Sequence, residues 1–136
     1  MSRPNVDVVR RMLQAFNDGD IEAIVAECDP TVEWEEQPIP GVEPLYLGHD
    51  GVRRWWAATI LGAGEELGSI RGRLEAVKET DDAVIASICF EGEGRSSGAR
   101  VPMHVHIVAT FRDGKVVRRQ VFLTLSEALD AVGLRE

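Results

Sequence analysis

With 136 residues, 44% of them apolar, and a net charge of −8, the chain reads as one ordinary domain able to bury a single core. The apolar content excludes a disordered chain, and no apolar run approaches the roughly 18 residues that a membrane span needs. The acidic balance argues against nucleic acid as a partner, because the basic pairs Arg10-Arg11, Arg53-Arg54 and Arg118-Arg119 are scattered and form no stripe.

The opening MSRPNVDVVRRML holds no apolar leader segment, so a cytoplasmic location is expected. Val6, Val9, Leu13 and Phe16, with Met12 beside them, recur at helical spacing, and Asn17-Asp18-Gly19 ends that first helix. Asp20 then caps a second, short helix over Ile21 to Cys28, closed by Asp29-Pro30. Thr31 to Glu36 reads as a strand, and residues 37 to 48, rich in proline, read as a loop. Asp50 is the expected cap of a third helix carrying Val52, Trp55, Trp56 and Ile60, which stops in the glycines of "LGAGEELG".

From there the apolar period drops to two. Strands are expected near Ser69–Lys78, Ala83–Glu91, Arg100–Arg112 and Lys115–Thr124. Asp81-Asp82 and Arg112-Asp113-Gly114 supply tight turns, and "EGEGRSSGA" a longer one. Ser126 is the expected cap of a last helix that stops at Gly133. Helices followed by a meander predict an α+β domain over residues 1–136, with the helices on one face of a curved sheet. Cys28 and Cys89 fall far apart, in different elements, and read as buried free thiols.

Several stretches carry a family resemblance. "AFNDGDIEAIVAECDPTVEW", "YLGHDGVRRWW", "GEGRSSG", "FRDGKVVRRQVFLT" and "EALDAVGL" resemble the SnoaL-like polyketide cyclase group. That group belongs to the nuclear transport factor 2-like superfamily, with the ketosteroid isomerases and limonene epoxide hydrolases. The resemblance implies a cone-shaped α+β barrel: N-terminal helices pack on the concave face of a mostly antiparallel sheet and enclose an apolar pocket. It also implies a homodimer through the outer sheet face.

"VPMHVHIVATFRDGK" places two histidines on one strand. Alternation puts Met103, Val105, Ile107, Ala109 and Phe111 on one face and His104, His106, Val108 and Thr110 on the other. By resemblance to the isomerases the methionine face lines the pocket, so both histidines point outward, as structural residues or dimer contacts. Two ligands alone do not complete a zinc tetrahedron or a facial triad, and neither a metal nor a cofactor is expected.

The resemblance also places known catalytic positions on this chain. The isomerase proton shuttle falls at Trp34, its phenol at Met12 and its protonated aspartate at Ile107. The epoxide hydrolase set falls at Val105, Ile107 and Val121, and "VFLT" offers no carboxylate where the cyclases carry theirs. None of these side chains shuttles protons, so the standard mechanisms are disfavoured.

The expected ligand-binding residues are Met12, Phe16, Trp34, Trp56, Phe90, Met103, Val105, Ile107, Val121 and Leu123, with Ile88 among them. On the last strand Val117, Arg119, Val121 and Leu123 alternate inward, opposite Arg118, Gln120 and Phe122. A buried Arg119 needs a partner, either a protein carboxylate, for which Glu36 on the same strand face as Trp34 is the nearest candidate, or the carboxylate or carbonyl of a ligand, unless the side chain snorkels to water; Glu33 and Glu35 should face solvent. Tyr46 and His49 are either gate residues or ordinary loop and cap residues. "GEGRSSG" precedes no helix and is a weak phosphate-loop signal.

The first expectation for function is a binder of a small apolar molecule bearing a carbonyl or carboxylate. The alternative is a cofactor-independent isomerase, cyclase or hydrolase with Glu36 as general base and Arg119 stabilising negative charge. A dimeric scaffold with a filled cone is the third.

Overall fold

A computed structural model describes residues 3–37, 42–61, 70–93 and 100–134 of the chain. The apolar stripe of α1 (Arg3–Asp18) buries Val8, Val9, Ala15 and Phe16, which is how this helix docks. Gly19, at φ +72°, ends the helix. Asp20 caps α2 (Ile21–Ala26) by accepting the Ala23 N–H at 3.1 Å.

The remaining elements are β1 (Cys28–Glu35), β2 (Leu45–Leu47), α3 (Gly48–Trp55), β3 (Ile70–Glu79), β4 (Ala83–Glu93), β5 (Arg100–Arg112), β6 (Lys115–Phe122) and α4 (Leu125–Ala131). A π-helical turn, Trp56–Leu61, continues α3. The six strands form one sheet in the order β2-β1-β6-β5-β4-β3, with β1 parallel to β6 and every other pair antiparallel. This is the expected α+β cone. No helix among the described residues is long and apolar enough to cross a membrane.

Two cores lie on opposite sides of the sheet. The larger joins Val8, Phe16, Ile24, Val52 and Trp56 of the helical layer to Val84, Ala86, Ile88 and Phe111 of the strands. Asn17 pins α1 to β3: its side chain donates to the Gly72 carbonyl at 2.9 Å and accepts the Gly72 N–H at 2.8 Å. A Cβ on Gly72 would stand 2.7 Å from Phe90 and 2.8 Å from Leu13, so glycine permits that approach. The smaller core places Ala128 and Leu129 of α4 over Ala83, Ile85 and Val108. The last helix thus covers part of the outer face, whereas the sequence pattern placed helices on one face only.

Several boundaries move for identifiable reasons. The second helix stops at Ala26, and Cys28 already begins β1. Pro30 is tolerated inside that strand because pairing with β6 is irregular between Cys28 and Glu33. The expected loop over 37–48 contains β2, whose Leu-Tyr-Leu run pairs with Glu33–Glu35. Asp50 lies in the first turn of α3 rather than at its cap, and pairs with Arg53 at 2.7 Å. Thr124, not Ser126, caps α4 through the Glu127 N–H, so β6 ends at Phe122. Asp113 and Gly114 take φ of 53° and 79° and form the tight β5–β6 hairpin read from the sequence. The expected helix stop in "LGAGEELG" and the tip of the "EGEGRSSGA" turn lie outside the described residues.

Two bulges set side-chain directions. In β3 the pairing passes from Leu74↔Ile88 to Ala76↔Ser87, leaving Glu75 as an extra residue. In β6 it passes from Arg118↔Thr110 to Val116↔Phe111, leaving Val117 extra.

Candidate functional site

The concave face and the helical layer enclose a cavity of about 610 Å³. Its walls come from every layer of the fold. α1 contributes Met12 and Phe16, β4 contributes Ile88 and Phe90, and β5 contributes Met103, Val105 and Ile107. Trp34 and Glu36 enter from β1 and its end, Arg119 and Val121 from β6. Met103 is 41% exposed and stands at the rim, and the π-helical turn supplies Ala58, Thr59 and Ile60.

The expected inward parity of β5 is what the structure has, and both histidines lie on the outer face. His106 Nδ1 meets Ser87 Oγ at 2.8 Å, and His104 lies beside Cys89 and Glu75. Both cysteines are buried and free.

Two residues expected in the lining are not there. Leu123 is 62% exposed, because β6 ends at Phe122 and the strand alternation no longer applies to it. Trp56 is buried behind the wall, edge-on to Phe16 with ring centroids 5.6 Å apart. Trp55 lines the cavity in its place. Adjacent helix positions are turned by roughly 100°, so only one of two neighbouring tryptophans faces the cavity. The usable signal was chemical: a buried indole N–H seeks an acceptor, and Glu36 was the carboxylate on offer. The expected inward Val117 also gives way. The bulge turns Val116 inside instead, where it is fully buried and lines the cavity.

One polar cluster interrupts the apolar walls. Arg119 is 8% exposed, with Nη1 donating to the Glu35 carbonyl at 2.7 Å and to Glu36 Oε1 at 3.4 Å. Its guanidinium carbon lies 4.8 Å from the Trp34 ring centroid and 4.9 Å from that of Trp55, a cation–π contact with two neighbouring rings whose centroids are 5.1 Å apart. Glu36 Oε1 also accepts the Trp55 indole N–H at 2.7 Å, and Oε2 accepts the Gln37 backbone N–H at 3.0 Å. Gln37 Nε2 in turn donates to the Val121 carbonyl. Burial pulls the Arg119 pKa down, and the Glu36 charge and hydrogen bond oppose that fall.

In this wall two sets of donors lack an acceptor among the described residues. Among the described residues Arg119 donates only through Nη1, leaving Nε and Nη2 without acceptors. Trp34 Nε1 is buried with no hydrogen-bond partner among them. An apolar cavity with a fixed cation in its wall can hold a flat molecule and place an oxygen against the guanidinium.

Tyr46 and His49 take structural positions. Tyr46 is 1% exposed and its hydroxyl accepts the Glu43 N–H at 3.2 Å; His49 Nε2 lies 2.9 Å from the Cys28 carbonyl. Glu33 faces solvent as expected. Glu35 is half-buried on the outer side, bonded to Arg118 at 2.7 Å.

Comparison with solved structures agrees with this architecture. TerC, co-crystallized with polyporic acid, superposes with a TM-score of 0.75 at 25% identity, over 93% of this chain and 96% of that one. A nuclear transport factor 2-like protein from Burkholderia pseudomallei gives a TM-score of 0.74 at 18% identity, over 96% and 98% of the two chains. A ketosteroid isomerase-like protein from Catenulispora acidiphila, in complex with trimethylamine, gives 0.70 at 12% identity, over 93% and 92%. No curated protein matches the chain. The family model described as the SnoaL-like domain matches residues 9–119. The chain therefore belongs to the SnoaL-like domain family.

Proposed function

We propose that the protein binds a small, flat, largely apolar organic molecule in its cone and holds one of that molecule's carbonyl or carboxylate oxygens at Arg119. The observation that carries this reading is the buried guanidinium with unpaired Nε and Nη2 in a cavity wall that is otherwise almost wholly apolar. These two nitrogens border the cavity, where an oxygen of a bound molecule can accept from them. Trp34 and Trp55 line the cavity beside the same spot and offer aromatic surface to a planar ligand. The acid bound by TerC supports an oxygen-bearing ligand.

Titration with aromatic carboxylic acids and quinones, polyporic acid among them, tests the proposal through quenching of tryptophan fluorescence. Saturable quenching is expected, weakened about ten- to a hundredfold by Arg119→Met as one charged hydrogen bond is lost. Equal affinity in the variant, or no saturable quenching by any probe, sinks it.

A second reading is proton transfer of the isomerase or cyclase type, with Glu36 as base. The pairing of Glu36 and Arg119 within one cavity favours it. Three donors already occupy the Glu36 oxygens, which favours binding over catalysis. Glu36→Gln separates the two: it abolishes turnover in an enzyme and leaves affinity within a few-fold in a binder. A filled-cone scaffold fits poorly with a cavity of about 610 Å³. A homodimer through the outer sheet face remains part of the proposal. Light scattering on the eluting protein counts the chains.

A further inference from the structure

Beyond α4 the outer face of the sheet carries a cluster unrelated to the cavity. Cys89 and His104 are cross-strand partners on β4 and β5, and Cys89 Sγ lies 3.9 Å from His104 Nε2. The bulge in β3 brings a third side chain to them. Glu75, the residue left extra between the Leu74 and Ala76 pairs, places Oε1 3.2 Å from His104 Nδ1. One donor atom from each of the three residues lies within 4.8 Å of the other two.

We propose that Glu75, Cys89 and His104 form a binding site for a late first-row divalent metal, best matched by zinc. A thiolate, an imidazole and a carboxylate are zinc ligands, and the sulfur and nitrogen discriminate against magnesium and calcium. Ligands at zinc–sulfur and zinc–nitrogen bond lengths, spread tetrahedrally, stand about 3.5 Å apart. The Cys89–His104 separation of 3.9 Å is therefore within a few tenths of an ångström of a shared metal.

The Glu75 contact bears on the imidazole as well. Before the metal binds, a carboxylate on Nδ1 favours the tautomer that carries its proton there, which leaves Nε2, the nitrogen 3.9 Å from the thiol, free of one. Glu75 is 38% exposed and reaches the metal by rotating its side chain, exchanging its 3.2 Å contact with His104 Nδ1 and its 3.4 Å contact with Arg73 for a metal bond, and the Nδ1–H then turns to water. As the metal binds, the Cys89 thiol releases its proton to solvent, and water takes the fourth position. His106 is held by Ser87 at 2.8 Å and takes no part. In a dimer joined through this face the site would lie at the interface, so stoichiometry is counted per chain.

Cobalt(II), a spectroscopic stand-in for zinc, is the probe. Titration of the reduced, metal-free protein is expected to give one equivalent per chain, with the near-ultraviolet thiolate charge-transfer band and the visible bands of four-coordinate cobalt. Added zinc should bleach both. Cys89→Ser and His104→Ala should abolish the charge-transfer band, Glu75→Gln should weaken binding about 10- to 100-fold, and Cys28→Ser should leave the band intact. His104 is 61% exposed, so its replacement keeps the test valid even where Cys89→Ser fails to fold. Absence of the band at stoichiometric cobalt, or its survival in His104→Ala, overturns the proposal.

Discussion

Arg118 and Arg119 are neighbours on β6 whose side chains end on opposite faces of one sheet, and their fates differ accordingly. Arg118 is 47% exposed and pairs with Glu35 at 2.7 Å; Arg119 is nearly closed from solvent and meets Glu36 at 3.4 Å. The outer pair has the shorter contact and the smaller consequence. Water screens it, and exposed pairs of this kind contribute about 0–1 kcal/mol. The inner pair is held by two indole faces, a backbone carbonyl and the Trp55 N–H, so removing one member strands the other in an apolar wall. Distance alone misjudges an ion pair; the medium around it decides its weight.

The sharpest way to break this comparison is Glu36→Ala. It should destabilise the protein by about 3–5 kcal/mol in urea unfolding, because Arg119 is left charged and unpaired. Replacing both partners, Arg119→Met with Glu36→Gln, should recover most of that loss. A double variant as unstable as Glu36→Ala would show that the inner pair is not the source of the effect. Next comes Trp55→Phe, which keeps an aromatic ring, smaller than the indole, and deletes the donor to Glu36. A loss of about 1.5–3 kcal/mol is expected for a hydrogen bond to a charged group.

Cys28 extends the inner environment to alkaline pH. Burial pushes its thiol up from the ordinary 9.0 to about 12. The folded chain therefore retains a proton that the unfolded chain has lost, and stability falls as pH rises through this range. The fall attributable to this thiol is about 1.4 kcal/mol per pH unit between 9.0 and about 12. It should be absent in Cys28→Ala, so the measurement is the difference between the two pH profiles. The smallest effect belongs to Arg118→Ala, under about 1 kcal/mol and shrinking further in high salt.

The inward and outward sets of β5 are legible in the sequence, because strand alternation is a local property of the backbone. Met103, Val105 and Ile107 lie on the cavity side and His104 and His106 on the other, as their order in the chain implies. The polar pair in the cavity is legible too: Arg119 on β6 and Glu36, one residue past the end of β1, both line the cavity and meet there. The misplacements cluster where regularity ends. Leu123 lies past the end of β6, Val117 in a bulge, and Trp56 next to a tryptophan that helical periodicity alone could not set apart from it.

By itself the sequence determined the order of elements, the α+β class and the two-sidedness of the later strands. Its apolar residues recur at periods of 3.6 and 2, and those periods belong to the chain wherever it folds. Only the tertiary structure decided which tryptophan faces the cavity, that Val116 and not Val117 is buried, that α4 crosses to the outer face, and that Glu75 reaches His104 across β4. Each of these depends on how one strand or helix meets another. A bulge exists only relative to the partner strand it slips against, so no window of a single strand contains it.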